Sequence, residues 1–385
     1  MGGIVEIVGI LAFIAALLIS VMIHEFGHYI TAKRFGMKVT EFFVGFGKRI
    51  WSTQRGETEF GVKAIPAGGY CKISGMTPDD ELPPGEEGRA FYKANSGKKL
   101  IVLGAGSFLH FVIGLVLIFV LLVGFGVNQP LPTINSVVKG SPAAAAGVKA
   151  GDEIVSINGE AVKQWGKDVA KINASGGALM TFGIKRGGEI LTIQASPERK
   201  IINGQERYVF GVVTDYGLKQ MSVLDATKNS FIVTKEFMVL TIKQLGSLPS
   251  KIPALWGQTV GGQERDPNGL VGVVGAARVS GQTIESAKLT LRERWAAFVL
   301  MIASLNIFVG IFNLLPLLPL DGGHMAVAIA DEIRAAFARL RGRERPAPID
   351  VNRLTPITMV VFVLLAALTL LLLAADIFNP ISLNL

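Results

Sequence analysis

His24, Glu25 and His28 form a His-Glu-x-x-His string whose residue types and spacing suit one divalent metal ion. On a helix, residues four apart stand on the same face one turn from each other, so both imidazoles can reach a single ion. Glu25 lies beside them, placed to take a proton from a water that such an ion activates. The chain has only four histidines, and two fall in this pattern. Two histidines leave a catalytic zinc short of its usual third protein ligand. The best candidate for that place is Asp321, within NLLPLLPLDGGH at Asn313 to His324. Pro316 and Pro319 deprive a helix of backbone donors and should bend it, while Gly322 and Gly323 should let the chain turn, so that Asp321 swings toward the metal from a helix end. The bland alternatives are two histidines snorkelling to an interface and a loop carboxylate that ends a helix.

Apolar stretches must position these groups. Half of the residues are hydrophobic and the mean hydropathy is positive, too apolar for a wholly soluble chain. Ile4 to Ile23, Leu100 to Val127 and Pro356 to Ala375 plainly reach the ~20 residues a bilayer span needs. Ala296 to Leu320 is a fourth, interrupted by Asn306, Asn313, Pro316 and Pro319. The first stretch lacks a basic start and a small-residue cleavage site, so it is expected to be retained rather than removed as a signal peptide. The His-Glu-x-x-His string ends that span, and at 1.5 Å per residue His28 lies roughly 7 Å short of Lys33 and the basic interface. Ionisable residues at such depth are costly and functional by default. If the third span runs inward like the first, Asp321 arrives at the same depth as His28.

The formal net charge of +8 would suggest a nucleic-acid partner in a soluble protein, but the basic residues gather beside the spans, and no nucleic acid is expected. Lys33, Arg34, Lys38, Lys48 and Arg49 follow the first span, and Arg89, Lys93, Lys98 and Lys99 precede the second. The positive-inside rule makes that loop cytoplasmic, and the Arg-rich run from Arg334 to Arg353 agrees. Both termini and the segment Asn128 to Trp295 then lie outside a plasma membrane that the chain crosses four times. Cys71, the single cysteine, falls in the cytoplasmic loop and can form no internal disulfide.

Between the spans, Thr40 to Met76 alternates aromatic or branched residues with glycine and reads as β-structure dipping into the membrane surface, with a tight turn at Arg55-Gly56. Thr77 to Gly88 reads as a loop. In TINSVVKGSPAAAAGVKAGDEIVSINGEAV, Thr133 to Val162, a strand is followed by a helix opened by Ser141-Pro142 and closed by Gly147. A turn at Gly151-Asp152 and a strand entering a hairpin at Asn158-Gly159 complete it. The order of these elements closely resembles a PDZ domain. Ser222 to Gly246 reads as an amphipathic helix. The glycine-rich Gly269 to Gly281 is not followed by GK[ST] and is not read as a phosphate loop.

HEFGH on a first span, a PDZ-like segment and N-x-x-P-x-x-P-L-D-G-G on a later span together resemble the site-2 protease family of intramembrane zinc metalloproteases. The likeness is strongest to the bacterial branch that cleaves anti-sigma factors, of the actinobacterial type, and it extends over the string GMKVTEFFVGFGKRIWSTQRGETEFGVKAIPAGGYCKISGM. The resemblance implies that His24, His28 and Asp321 hold Zn²⁺ and that Glu25 is the general base. It also implies a substrate-binding role for Asn313, whose amide would hold an unwound substrate backbone. The β-rich loop around Phe60 to Tyr70 resembles the family's re-entrant loop, which would pair with substrate as an added strand. A helical substrate hides its peptide bonds, so it must be opened before water can attack. The implied substrates are single-span membrane proteins, anti-sigma factors foremost, after a first external cut by an upstream site-1 protease.

Two departures stand out. Members often carry G-P-x-x-N in the second span, where this chain has Gly106-Ser107-Phe108-Leu109-His110. A packed, hydrogen-bonded histidine is favoured at His110 over a further polar contact at the site. Proteobacterial relatives have two PDZ domains and this chain has one. His324 is expected to face the cytoplasmic interface rather than the metal.

The expected fold is a polytopic α-helical membrane protein of four transmembrane helices, with a β-rich membrane-associated loop and an inserted extracytoplasmic α+β PDZ domain. Its divisions are 1–34, first helix with HExxH; 35–98, cytoplasmic re-entrant region; 99–127, second helix; and 128–200, PDZ domain. Then follow 201–295, extracytoplasmic linker with the amphipathic helix; 296–324, third helix with the LDG motif; 325–355, Arg-rich cytoplasmic loop; and 356–378, fourth helix. A rival of another class is a non-catalytic PDZ membrane scaffold with a structural zinc, which would have no need of Glu25. A metal transporter would want polar residues on several facing helices, and spans two and four offer almost none.

Overall fold

Thirty-three residues without a proline carry the chain through α1 (Gly2–Arg34), whose last turn holds Lys33 and Arg34 where the helix dipole favours cations. The helix closes on paired backbone bonds, Gly36 N–H to Lys33 O and Met37 N–H to Ala32 O, with Met37 and Ala32 buried in one core. The computed structural model describes residues 2–76, 85–202, 204–266 and 269–381. The expected loop at Thr77 to Gly88 lies mostly outside them. By length and composition four helices suffice to cross a membrane: Gly3–Arg34, Ser96–Phe125, Leu291–Asn313 and Val351–Phe378. The chain divides into a unit of Met1–Leu121 with Ser222–Leu385 and a unit of Leu122–Met221.

After α1, β1 (Val39–Arg55) and β2 (Thr58–Ile73) pair antiparallel. Each is long enough to fold on itself. Glu41 to Val44 pair with Glu59 to Val62 on one side and with Gly69 to Lys72 on the other, and Trp51 to Arg55 pair again with Thr58 to Val62. Two bent strands thus make a four-stranded sheet, and β1 bends where Gly45 and Gly47 take positive φ. Glu57, in the turn after Arg55, is bound by Lys33 of α1 and by Arg89 at 2.7 Å. The Arg89 guanidinium, with Lys33, holds the Glu57 carboxyl down at about 2 against the opposing effect of burial. This tie therefore contributes above the ordinary value of 4.5 and is lost as pH falls through about 2.

The second span, α2 (Ser96–Val120), opens on an Asn95 cap that accepts from Lys98 N–H at 2.9 Å. A single π-turn, Leu121–Phe125, follows.

In the second unit come β3 (Val127–Val137), α3 (Pro142–Ala145), β4 (Glu153–Ile157), β5 (Glu160–Ala161) and α4 (Trp165–Ala174). They are followed by β6 (Met180–Arg186), β7 (Glu189–Ala195), β8 (Glu198–Ile202), β9 (Gln205–Val209) and β10 (Val212–Lys219). The main sheet runs β10-β3-β4-β6-β7, with β5 on β4, and β8 and β9 form a separate two-stranded sheet. Ser141 caps α3 as expected, and Asn158 and Gly159 take φ of 50° and 80°, the tight hairpin geometry. Phe182 and Phe210 stack at 4.1 Å in a core with Ile134, Ile154, Ile157 and Trp165. Buried Asp152 accepts two hydrogen bonds from Arg186 at 2.7 Å, which keeps its carboxyl below the usual range. The unit is longer than the 128–200 division, because β10 returns to pair with β3.

The first unit resumes with α5 (Val223–Gly246), capped by Ser222 where the amphipathic helix was expected, and α6 (Leu248–Thr259). The glycine-rich stretch forms a helix, α7 (Val273–Glu285), whose Gly281 lies against Glu6 and Gly9 of α1. Its glycines serve close helix approach. Then come α8 (Leu291–Asn313), opened by a Thr290/Glu293 capping box, α9 (Asp321–Leu340) and α10 (Thr355–Phe378). Two elements stand where 296–324 reads as one. The helix stops at Asn313 before Pro316 and Pro319 instead of bending through them, and Asp321 opens a new helix.

Candidate active site

His24 and His28 stand one turn apart on α1 and are both buried, as their spacing requires. Their Nε2 atoms approach to 3.1 Å, and Asp321 Oδ2 lies 3.2 Å from His24 Nε2 and 3.3 Å from His28 Nε2. Three donor atoms so arranged form an almost equilateral triangle. Zinc bonds of about 2.0–2.1 Å in a tetrahedron set donors about 3.3 Å apart, so the triangle fits one zinc ion. The donor set, two imidazoles and a carboxylate, is also one that catalytic zinc takes. Among the described residues this is the group of His, Cys, Asp or Glu side chains that could hold a metal.

Backbone contacts fix each ligand candidate. His28 Nδ1–H donates to Val102 O of α2 at 2.8 Å, which leaves its Nε2 free of a proton for a metal. The His24 ring lies against Gly106 so closely that a Cβ there would meet three ring atoms at 2.6–2.7 Å. Gly27, between the two histidines, sits equally close to the Ala105 backbone. Glycines at 27 and 106 therefore let α2 press on the histidine face of α1. On the other side, a Cβ at Gly322 would strike Leu314 and Leu315 backbone at 2.3 Å, and one at Gly323 would strike Leu317 and Leu318. Gly322 and Gly323 thus serve to seat the start of α9 on the preceding loop, rather than to let Asp321 swing.

Glu25 is half-buried, one residue past His24. Cys71 of β2 lies close enough to the Glu25 carboxylate for the two to interact electrostatically. Gly69, two residues earlier, lies so near α1 that a side chain would run into Met22. The outer segment of the sheet, Gly69 to Ile73, is thus the one beside Glu25. Burial, and then the Glu25 carboxylate, push the Cys71 thiol up to about 12, so at neutral pH it has almost no thiolate for labelling reagents.

His110 is buried and its Nδ1 meets Asn306 Oδ1 at 2.9 Å, in line with the packed, hydrogen-bonded reading. Asn306 in turn donates to Ser20 Oγ at 3.1 Å and to Ile302 O at 2.8 Å. Ser20, Val102, Gly106 and Asn306 also belong to the site, although none of them falls in the HExxH or LDGG motif. Asn306 had carried a signal, an amide in the middle of an apolar span. Asn313 is the half-buried last residue of α8, and its side chain makes no hydrogen bond to a described residue. His324 is on the first turn of α9 and does not join the triangle.

The amino-acid sequence matches Peptidase family M50 over residues 12–350. The zinc metalloprotease Rip1 of Mycobacterium tuberculosis is 38% identical over 406 residues, covering 98% of this chain and 99% of that one. Rip1 of Mycolicibacterium smegmatis is 36% identical over 408 residues, covering 97% and 98%. A solved PDZ domain of an SdrC-like protein from Listeria monocytogenes is 22% identical, covering 23% of this chain and 90% of that one, with a TM-score of 0.20. Matched over most of its length and joined to relatives named as zinc metalloproteases, the chain belongs to Peptidase family M50, the site-2 proteases, and is a zinc metalloprotease.

Proposed function

We propose that His24, His28 and Asp321 hold the zinc, that Glu25 is the general base, and that the substrates are single-span membrane proteins already shortened outside, anti-sigma factors foremost. The convergence of three donor atoms within 3.3 Å of one another, next to a carboxylate, supports the assignment. When bound there, zinc supplies Lewis-acid chemistry, polarising a carbonyl oxygen and acidifying water. Glu25 accepts the proton of the attacking water and returns it to the departing amine nitrogen, so the peptide bond is exchanged for a carboxylate and an amine. Close packing of α1 against α2 at Gly27 and Gly106 leaves both histidines buried.

The substrate must arrive as an opened strand. Among the described residues Gly69 to Ile73 pair on one side only, with β1, and this segment lies near Glu25. A substrate segment added to that edge would bring its backbone to the base, with Asn313 as a further holding group. Phe46, Ile50, Trp51 and Ile65, exposed around the bends of the sheet, support contact of this region with the membrane. The basic residues beside the spans put this loop in the cytoplasm and the PDZ-like unit and both termini outside.

Purified full-length chain, reconstituted in liposomes with a shortened single-span substrate, is expected to cut within the span. Stripping the metal with a chelator should stop cleavage and added zinc should restore it. Undiminished cleavage by protein shown to be metal-free would rule the reading out. The orientation has its own test. A cysteine introduced at exposed Gln164 should react with an impermeant reagent in intact cells, and failure to react in a folded protein would reverse the topology.

A further inference from the structure

Two buried ring nitrogens at the candidate metal site lack partners, and their chemistry is complementary. His24 Nδ1 and His110 Nε2 have no hydrogen bond among the described residues, although the residues are only 6% and 1% exposed. Their ring centroids lie 5.0 Å apart with the planes tilted by 40°. Fixed neighbours decide which nitrogen of each ring carries the proton. Ile302 O only accepts, so the end of Asn306 that meets it at 2.8 Å is the amide nitrogen. Asn306 Oδ1 therefore faces His110, and His110 Nδ1 must donate to it. Neutral His110 keeps its lone pair on Nε2. On His24 the order is reversed. With Nε2 turned toward His28 Nε2 and Asp321 Oδ2, the proton of a metal-bound imidazole sits on Nδ1. A donor without an acceptor stands one ring away from an acceptor without a donor.

We propose that His110 is a positioning residue for the metal site: its Nε2 accepts the His24 Nδ1–H, after a small ring rotation or across one buried water, and Asn306 and Ser20 anchor it. The proposal rests on the reading of His24 as a zinc ligand. His28 already has such an outer partner on α2 in Val102 O, and a ligating histidine held at its second nitrogen is the usual arrangement. Across α1, α2 and α8 the chain Ser20, Asn306, His110, His24 is polar from end to end inside an apolar bundle. Ser107 Oγ, also unpartnered on α2, is the competing acceptor. A serine hydroxyl can turn back to a carbonyl of its own helix, an option a ring nitrogen lacks.

Two substitutions separate the halves of His110. An asparagine reproduces the place of imidazole Nδ1 and a glutamine that of Nε2. His110→Asn thus keeps a partner for Asn306 and deletes the acceptor, while His110→Gln does the reverse. Chelator competition on full-length protein in detergent should find zinc bound about 10–100-fold more weakly by His110→Asn, and weakened less than about threefold by His110→Gln. Ser107→Ala should bind zinc as wild type does. The opposite ranking of the two His110 variants, or a loss in Ser107→Ala alone, overturns the proposal. His24→Ala separates the two readings: if it keeps its zinc, the ligand assignment fails, and if it alone loses zinc, only the role of His110 fails. Wild-type protein loaded with cobalt gives a test free of variant misfolding. Proton spectra should contain two shifted ring N–H signals protected from exchange, one for each ligand histidine, and a single protected signal would overturn the proposal.

Discussion

Replacing Glu25 by Gln is expected to lower peptide cleavage by about 10³-fold or more while leaving zinc in place, in the range that loss of a general base costs. The side chains differ by one proton-accepting oxygen and a charge, so packing on α1 is unaltered. The donor triangle of His24, His28 and Asp321 does not include Glu25. What disappears is the group that takes a proton from water and hands it to the amine. Single-turnover cleavage of a shortened substrate, with zinc measured on the same sample, checks both halves. Wild-type turnover by purified Glu25→Gln would remove Glu25 from the chemistry. Loss of zinc along with activity would instead make it a structural support of the site.

How far the site could be read from sequence follows from the range of each interaction. HExxH is a local pattern, and helix periodicity alone brings His24 and His28 to one face. The PDZ-like turns are local as well, and Ser141, Gly147 and Asn158-Gly159 take the conformations their residue types favour. A proline- and glycine-rich string at matching depth makes Asp321 the candidate third donor, and the structure brings its Oδ2 within 3.3 Å of both histidines, although on a different element from the one expected. Two prolines three apart were read as kinks, whereas the chain leaves the helix at Asn313 and restarts at Asp321. Asp321 thereby sits at a helix N-terminus, where the dipole favours a carboxylate.

The long-range pairings were not legible. The double pairing of Glu41 to Val44 needs β1 and β2 each to bend, and β10 finds β3 across some seventy-five residues of chain. Gly27, Gly106 and Gly281 are conformationally unremarkable positions in helices, and their purpose exists only once another backbone lies against them. For the same reason a glycine-rich segment that could be mistaken for a loop proved to be α7. His110 departed from a family pattern, and only its bond to Asn306 and its place beside His24 give that departure a meaning.

Replacing Asp321 by Ala should remove zinc as well as activity. The substitution takes one corner from the triangle and leaves two imidazoles whose Nε2 atoms are 3.1 Å apart, without a third donor. Losing an outer-shell partner costs about 10–100-fold in metal affinity, and losing a ligand itself should cost more. The fold should persist. Gly322 and Gly323 still seat α9 on the loop before it, and the lost charge at the helix start is worth only about 0.3–1 kcal/mol. Asp331→Ala makes a control, since it removes the same charge from the same helix, where Asp331 pairs with Arg334 at 3.1 Å outside the triangle. Elemental analysis should find Asp321→Ala largely free of zinc and Asp331→Ala fully loaded, with unchanged helix content by circular dichroism in both. Full zinc occupancy in Asp321→Ala would leave the two histidines needing another ligand, and would assign Asp321 to orienting the histidines or the substrate instead.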